Sequence, residues 1–182
     1  MLQVNMSIHQ KYHDRLTSAL DDLLRCKRYC EVMLELPIGD SFSKERTIYE
    51  GLHVASIITY GRIFTTANTE YKQDISNKFG KLRERVLKSL CENESKFHRR
   101  IITKRDTNIA HSDANSRNIK HYNNSSLPTS SNPYYPLEHS DVIMLLNILS
   151  EFISSIGQEQ ARVGSYAFEN DCFGKLQSAF NK

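Results

Sequence analysis

Tryptophan is absent from this chain of 182 residues, and glycine and proline are scarce, with seven and four copies. Three of the four prolines fall between 112 and 136, so outside that stretch only Pro37 forbids a continuing helix. The four cysteines, at 26, 30, 91 and 172, form no Cys-x-x-Cys pair, which excludes the usual zinc-ribbon and thioredoxin spacings. They read as small core residues. Cys26 and Cys30 are one helical turn apart, as are His9 and His13. On a continuous helix, however, roughly 20 Å separates the two pairs, too far for a shared metal. No metal or cofactor is expected. The chain also lacks a P-loop, a glycine-rich dinucleotide fingerprint, a His-Glu-x-x-His helix and a Gly-x-Ser-x-Gly elbow. No basic leader followed by an apolar run opens it, and its most apolar stretch, Val142 to Ile156, is interrupted by Asn147, Ser150, Glu151 and Ser154. That stretch reads as too short and too polar to cross a bilayer. A cytoplasmic location with reduced cysteines is therefore expected.

What is present is a hydrophobic fraction of 39% and a charged fraction of 25%, the balance of a globular chain long enough for one core, so a single domain over 1–182 is expected. The net charge of +3 is too small to mark a nucleic-acid binder by itself. Its distribution says more: Lys96, Arg99, Arg100, Lys104 and Arg105, with His98, follow one another without an acid.

Apolar residues recur by threes and fours through most of the chain, and no segment alternates as a strand does. The first helix spans roughly 7–36 through Ile8, Tyr12, Leu16, Leu20, Leu23, Cys26, Cys30 and Met33, and Pro37 stops it. Ser43 offers a cap to a second helix over 44–66, apolar on two faces and expected at the centre, with Ile48, Leu52 and Ala55 on one and Val54, Ile57, Ile58 and Phe64 on the other. After a polar joint at 67–74 comes a third helix through Phe79, Leu82, Val86 and Leu90. A second joint lies at 91–95, and beyond it a fourth helix carries Phe97, Ile101, Arg105 and Ile109 at four-residue steps. Residues 112–136 show no helical period and read as a long loop carrying Arg117, Lys120, His121, Tyr122, Tyr134 and Tyr135. A last core helix covers 137–160, and the tail from 163 forms a further short one. The fold class is all-α, an antiparallel bundle of four to five main helices.

Arg105 shares a stripe with apolar residues, so it requires a cleft, an acidic partner or a bound phosphate. Six residues later comes His111. Arginine can grip a phosphate and offset charge building on its oxygens, and an imidazole near neutrality can move the protons of a phosphodiester cleavage. On one straight helix the two side chains would stand about 120° apart. A common site therefore needs a helix start at Thr103-Lys-Arg-Asp106, which has the form of a capping box, or a bend, or a second protomer.

The order arginine, polar residue, then histidine in Arg105, Asp106 and His111, with Ile109-Ala110-His111-Ser112-Asp113 and the upstream Tyr60-Gly61-Arg62-Ile63-Phe64, resembles the abortive-infection and toxin-like branch of the HEPN superfamily. The resemblance implies a helical dimer whose two motifs face one cleft and cut RNA without a metal, leaving a 2′,3′-cyclic phosphate and a 5′-hydroxyl. It implies that His111 does general acid and base work, that Arg105 binds phosphate and that Asp106 orients one of them. Arg62, Arg99, Arg100, Lys104 and Asn108 are candidates for contacts with the RNA, and an inhibitory antitoxin protein is a further expected partner. The alternative is a non-catalytic HEPN domain that binds RNA or nucleotide or mediates dimerisation.

Overall fold

A computed structural model describes residues 7–37, 43–65, 73–109 and 136–180, with side chains described for 7–37, 43–65, 74–107 and 136–164. It is all-α. The elements are α1 (Ile8–Glu35), α2 (Lys44–Arg62), α3 (Gln73–Ser89), α4 (Glu92–Lys104), a π-helical turn (Arg105–Ile109) and α5 (His139–Phe180), and no strand occurs among the described residues. His111 and all of the expected 112–136 loop except Pro136 lie outside the described residues, as does the expected 67–74 joint apart from Gln73 and Asp74, which belong to α3. Contacts sort the chain into two compact units, one of residues 1–21, 66–89 and 150–182 and the other of residues 22–65 and 90–149.

In the first unit the α3 stripe is buried as its spacing requires, with Ile75, Phe79, Leu82 and Val86 inside. Tyr12 donates to Glu159 at 3.4 Å and Gln160 donates to Thr17 at 2.7 Å, tying α1 to α5. In the second unit Leu23, Cys26, Cys30 and Met33 of α1, Phe97 and Ile101 of α4, and Val142, Leu145, Ile148 and Leu149 of α5 are inside.

Four expectations change. α5 does not stop near 160 but runs unbroken to Phe180, because Gly157 and Gly164 weaken a helix without ending it and no proline lies beyond them. Within it, His139–Gly164 is by length and composition apolar enough to cross a membrane, contrary to the reading of this stretch as too short and polar. The same profile belongs to a core helix, and Val142, Leu145, Leu149, Phe152, Ile156 and Val163 form a buried stripe at helical spacing. In α2 the inward face is not the one expected: Ile48 and Ile58 are 41% and 39% exposed, while Tyr49, His53, Ser56, Thr59 and Tyr60 are buried. Finally Cys91 is exposed, at the start of α4, where Glu94 accepts from its backbone N–H at 2.9 Å.

The polar inward face of α2 clamps the backbone that leads into α5. Tyr49 donates its hydroxyl to the Leu137 carbonyl at 2.7 Å, and the Leu137 N–H donates to His53 Nδ1 at 3.3 Å. Nδ1 is thus unprotonated, so the neutral ring carries its hydrogen on Nε2, which has no partner among the described residues. Burial, with Lys104 and Arg46 nearby, lowers the His53 pKa to about 3. The unfolded chain takes up this proton near pH 6.5 and the folded chain does not, so the stability carried by neutral His53 is full above about pH 6.5 and is lost as pH falls toward 3. Unfolding free energy measured in denaturant should therefore fall between pH 7 and pH 5, His53 contributing up to about 2 kcal/mol. His53→Gln, which keeps an acceptor for Leu137, should lose less over the same interval. An equal loss in both proteins would refute the assignment.

Candidate functional site around Arg105

Arg105 does not begin a helix. Its backbone N–H donates to the carbonyls of Ile101 and Ile102, its dihedrals are α-helical, and the Thr107 hydroxyl donates to the Thr103 carbonyl at 2.8 Å. The capping box expected at Thr103–Asp106 is therefore ruled out, because the N–H groups it would serve are already inside a continuous helix. From Arg105 the chain continues as a π-helical turn, Arg105–Ile109. Each i→i+5 bond takes one residue more than an α-turn, so the register beyond the turn shifts by about 100° against the face of α4. Such turns concentrate at functional sites. Asn108 belongs to this turn, with its side chain outside the described residues.

The Arg105 side chain, 19% exposed, reaches across to α2. Its Nη1 donates to the Gly61 carbonyl at 2.7 Å and its Nη2 lies 2.6 Å from the Asp106 carboxylate. The Gly61 carbonyl is in the last turn of α2, where helical carbonyls lack their i+4 donors and the dipole favours a cation. The Phe64 N–H also donates to it at 3.0 Å, so the guanidinium takes its second lone pair. The approach requires glycine: a Cβ at position 61 would stand 2.2 Å from Arg105 Cδ and 3.0 Å from Nη1. The acidic partner expected of an inward arginine is thus Asp106, its own neighbour.

Tyr60 and Phe64, at the two ends of the Tyr60–Phe64 segment, face α4. Tyr60 Oη and His98 Nδ1 share a hydrogen bond of 2.7 Å, and the His98 ring lies against those of Tyr60 and Phe64, with centroids 5.8 and 4.7 Å away. Burial holds the Tyr60 hydroxyl well above its ordinary pKa. Burial, then the charge of Arg99, lowers that of His98 to about 4, so the pair is neutral at pH 7. His98 precedes Arg105 by seven residues and therefore shares its face of α4, about 20° away and roughly 10 Å back along the axis. In the sequence it stood only as one member of a basic run. The signal that could have set it apart is that seven-residue spacing from Arg105, matched by adjacent Tyr60 and Gly61 on α2.

The remaining candidates divide. Arg62 is exposed and pairs with Asp22 of α1 at 3.3 Å. Arg100 is 2.5 Å from Asp141 and lies over the Phe97 ring, and Arg99 is exposed. Lys104 is half-buried, and burial, then Arg100, pulls its pKa below the usual lysine range. With Arg100, Leu137, Glu138 and Asp141 it lines a groove of about 340 Å³. The structure thus brings Arg105, Asp106 and Gly61 together and, separately, Arg100 and Lys104.

The chain matches no protein-family model, no curated protein and no solved structure. The site therefore rests on its own chemistry. Arg105 closes the C-terminal end of α2, and two of its five donors serve that contact and Asp106.

Gly61→Ala should cost about 1–3 kcal/mol in wild type, since its methyl group collides with Arg105. In an Arg105→Ala background the cost should vanish or reverse, because alanine is the better helix former. Denaturant unfolding of the two single variants and the double variant tests this, and strictly additive effects would contradict the contact.

Proposed function

We propose that the protein is an endoribonuclease of the toxin or phage-defence type, acting in the cytoplasm as a homodimer with a composite cleft. The observation that carries this reading is that its two HEPN-like segments meet: the motif arginine Arg105 lies on Gly61 of the Tyr60–Phe64 segment, at the start of a π-helical turn. In the reaction, His111 takes the proton of a ribose 2′-hydroxyl and returns one to the leaving 5′-oxygen, work worth roughly 10² to 10⁴-fold. Arg105 meets the charge that builds on the phosphoryl oxygens. Its Nη1 stays on the Gly61 carbonyl while its other donors turn to the phosphate. Asp106, half exposed at 48%, holds the guanidinium in place and yields one donor when the anion enters. The RNA candidates Arg62, Arg99, Arg100, Lys104 and Asn108 would bind along the strand, and an antitoxin would restrain the enzyme in the cell.

One observation favours the non-catalytic alternative, a HEPN domain for RNA or nucleotide binding or for dimerisation: both contacts of Arg105 are internal, as in a structural arginine. Activity separates the two. Purified protein should cut RNA in excess chelator, leaving 2′,3′-cyclic phosphate ends. His111→Ala should lower the rate at least 10²-fold while keeping the wild-type unfolding midpoint. Intact RNA, or undiminished cutting by His111→Ala, would contradict the catalytic reading.

A further inference from the structure

The unit formed by residues 1–21, 66–89 and 150–182 holds a groove of about 510 Å³ whose walls carry Lys78, Lys81 and Arg85 of α3, Arg162 and Glu159 of α5, and Tyr12 of α1. Four cations against one acid give it a formal charge of +3, as large as that of the whole chain. The single acid is already engaged. Arg162 donates to both Glu159 oxygens, at 2.7 and 2.9 Å, and Tyr12 donates to the same carboxylate, whose pKa the Arg162 hydrogen bond holds below the usual range. The net charge therefore resides on Lys78, Lys81 and Arg85. Their three- and four-residue spacing aligns them on one face of α3 over about 10 Å.

The surroundings add positive potential. Arg15 and Arg83 both lie over the Phe79 ring, 4.5 and 5.4 Å from its centroid, and Lys78 is 5.7 Å from that of Tyr12. Burial, then the charge of Arg15, lowers the Arg83 pKa, so like charges are crowded there. A cleft lined by one sign of charge focuses field into itself.

We infer that this groove binds the sugar-phosphate backbone of single-stranded nucleic acid, as a second contact surface separate from Arg105 and independent of base sequence. A concave channel with cations a helical turn apart tracks a flexible polyanion, whereas a bilayer surface would engage a convex face. The inference adds to the proposed nuclease reading, and its test does not depend on cleavage.

The probe is a fluorescent DNA oligonucleotide, which lacks the 2′-hydroxyl and cannot be cut by that chemistry, with binding followed by anisotropy across salt concentrations. Neutralising three phosphate contacts on a single strand contributes a slope of about −2 in log K against log salt, worth about 100-fold in affinity at 0.1 M salt. Lys78→Gln/Lys81→Gln/Arg85→Gln should lose that slope and affinity. A control of equal charge change, Lys27→Gln/Arg28→Gln/Lys44→Gln, should retain most of both. Equal losses in the two triple variants would overturn the inference, as would wild type that fails to bind up to about 10⁻⁴ M, the weak end of ordinary non-specific binding. Binding to phosphatidylserine vesicles that depends on the three residues while oligonucleotide binding does not would overturn it in favour of a membrane partner. An inactive Arg105 site changes none of these outcomes.

Discussion

An arginine on an inward stripe has to find compensation, and the way Arg105 finds it governs the candidate site. Its guanidinium accepts a place against the end of α2, where a helical carbonyl lacks its ordinary donor. That place exists only because residue 61 has no side chain, the Cβ of any other residue falling 2.2 Å from the arginine. The contact fixes α4 against α2, and His98, on the same face of α4, meets Tyr60 one position before the glycine. Two adjacent residues of α2 thus receive His98 of α4 and Arg105 of the π-helical turn, seven residues apart.

The helical stripes were plain in the sequence because apolar side chains at three- and four-residue steps have one place to go. Phe79, Leu82 and Val86, and Phe97 with Ile101, are inside as that spacing demands. The Ser43 cap was equally plain, since a short hydroxyl side chain before a helix has one useful partner, and it accepts from the Arg46 N–H at 3.0 Å. The inward face of α2 was not legible. Its buried residues include His53, Ser56 and Tyr60, whose hydrogen bonds make burial tolerable, and hydropathy cannot see partners supplied by other segments.

The site was legible in part. Sequence spacing correctly required a partner for Arg105, and the upstream Tyr60–Phe64 segment supplies one. The π-helical turn left no trace, because a helix with one extra residue in a turn uses the same residue types as an ordinary one. The apparent capping box at Thr103–Asp106 misled for a related reason: Thr and Asp serve helix starts only when backbone N–H groups there lack partners, a condition set by what precedes them.

Structural and chemical roles need not compete at Arg105. A guanidinium held at one edge by a carbonyl and a carboxylate is preorganised, and preorganised charge stabilises a transition state without reorganising when charge develops. In the proposed reaction the 2′-hydroxyl of the substrate attacks its own phosphate at this site. The most direct measurement compares an RNA oligonucleotide with its fully 2′-O-methylated counterpart under single-turnover conditions, with product ends identified by mass. RNA cut to a 2′,3′-cyclic phosphate beside an intact methylated strand is the predicted result. Cleavage of both strands, or of neither, would contradict it.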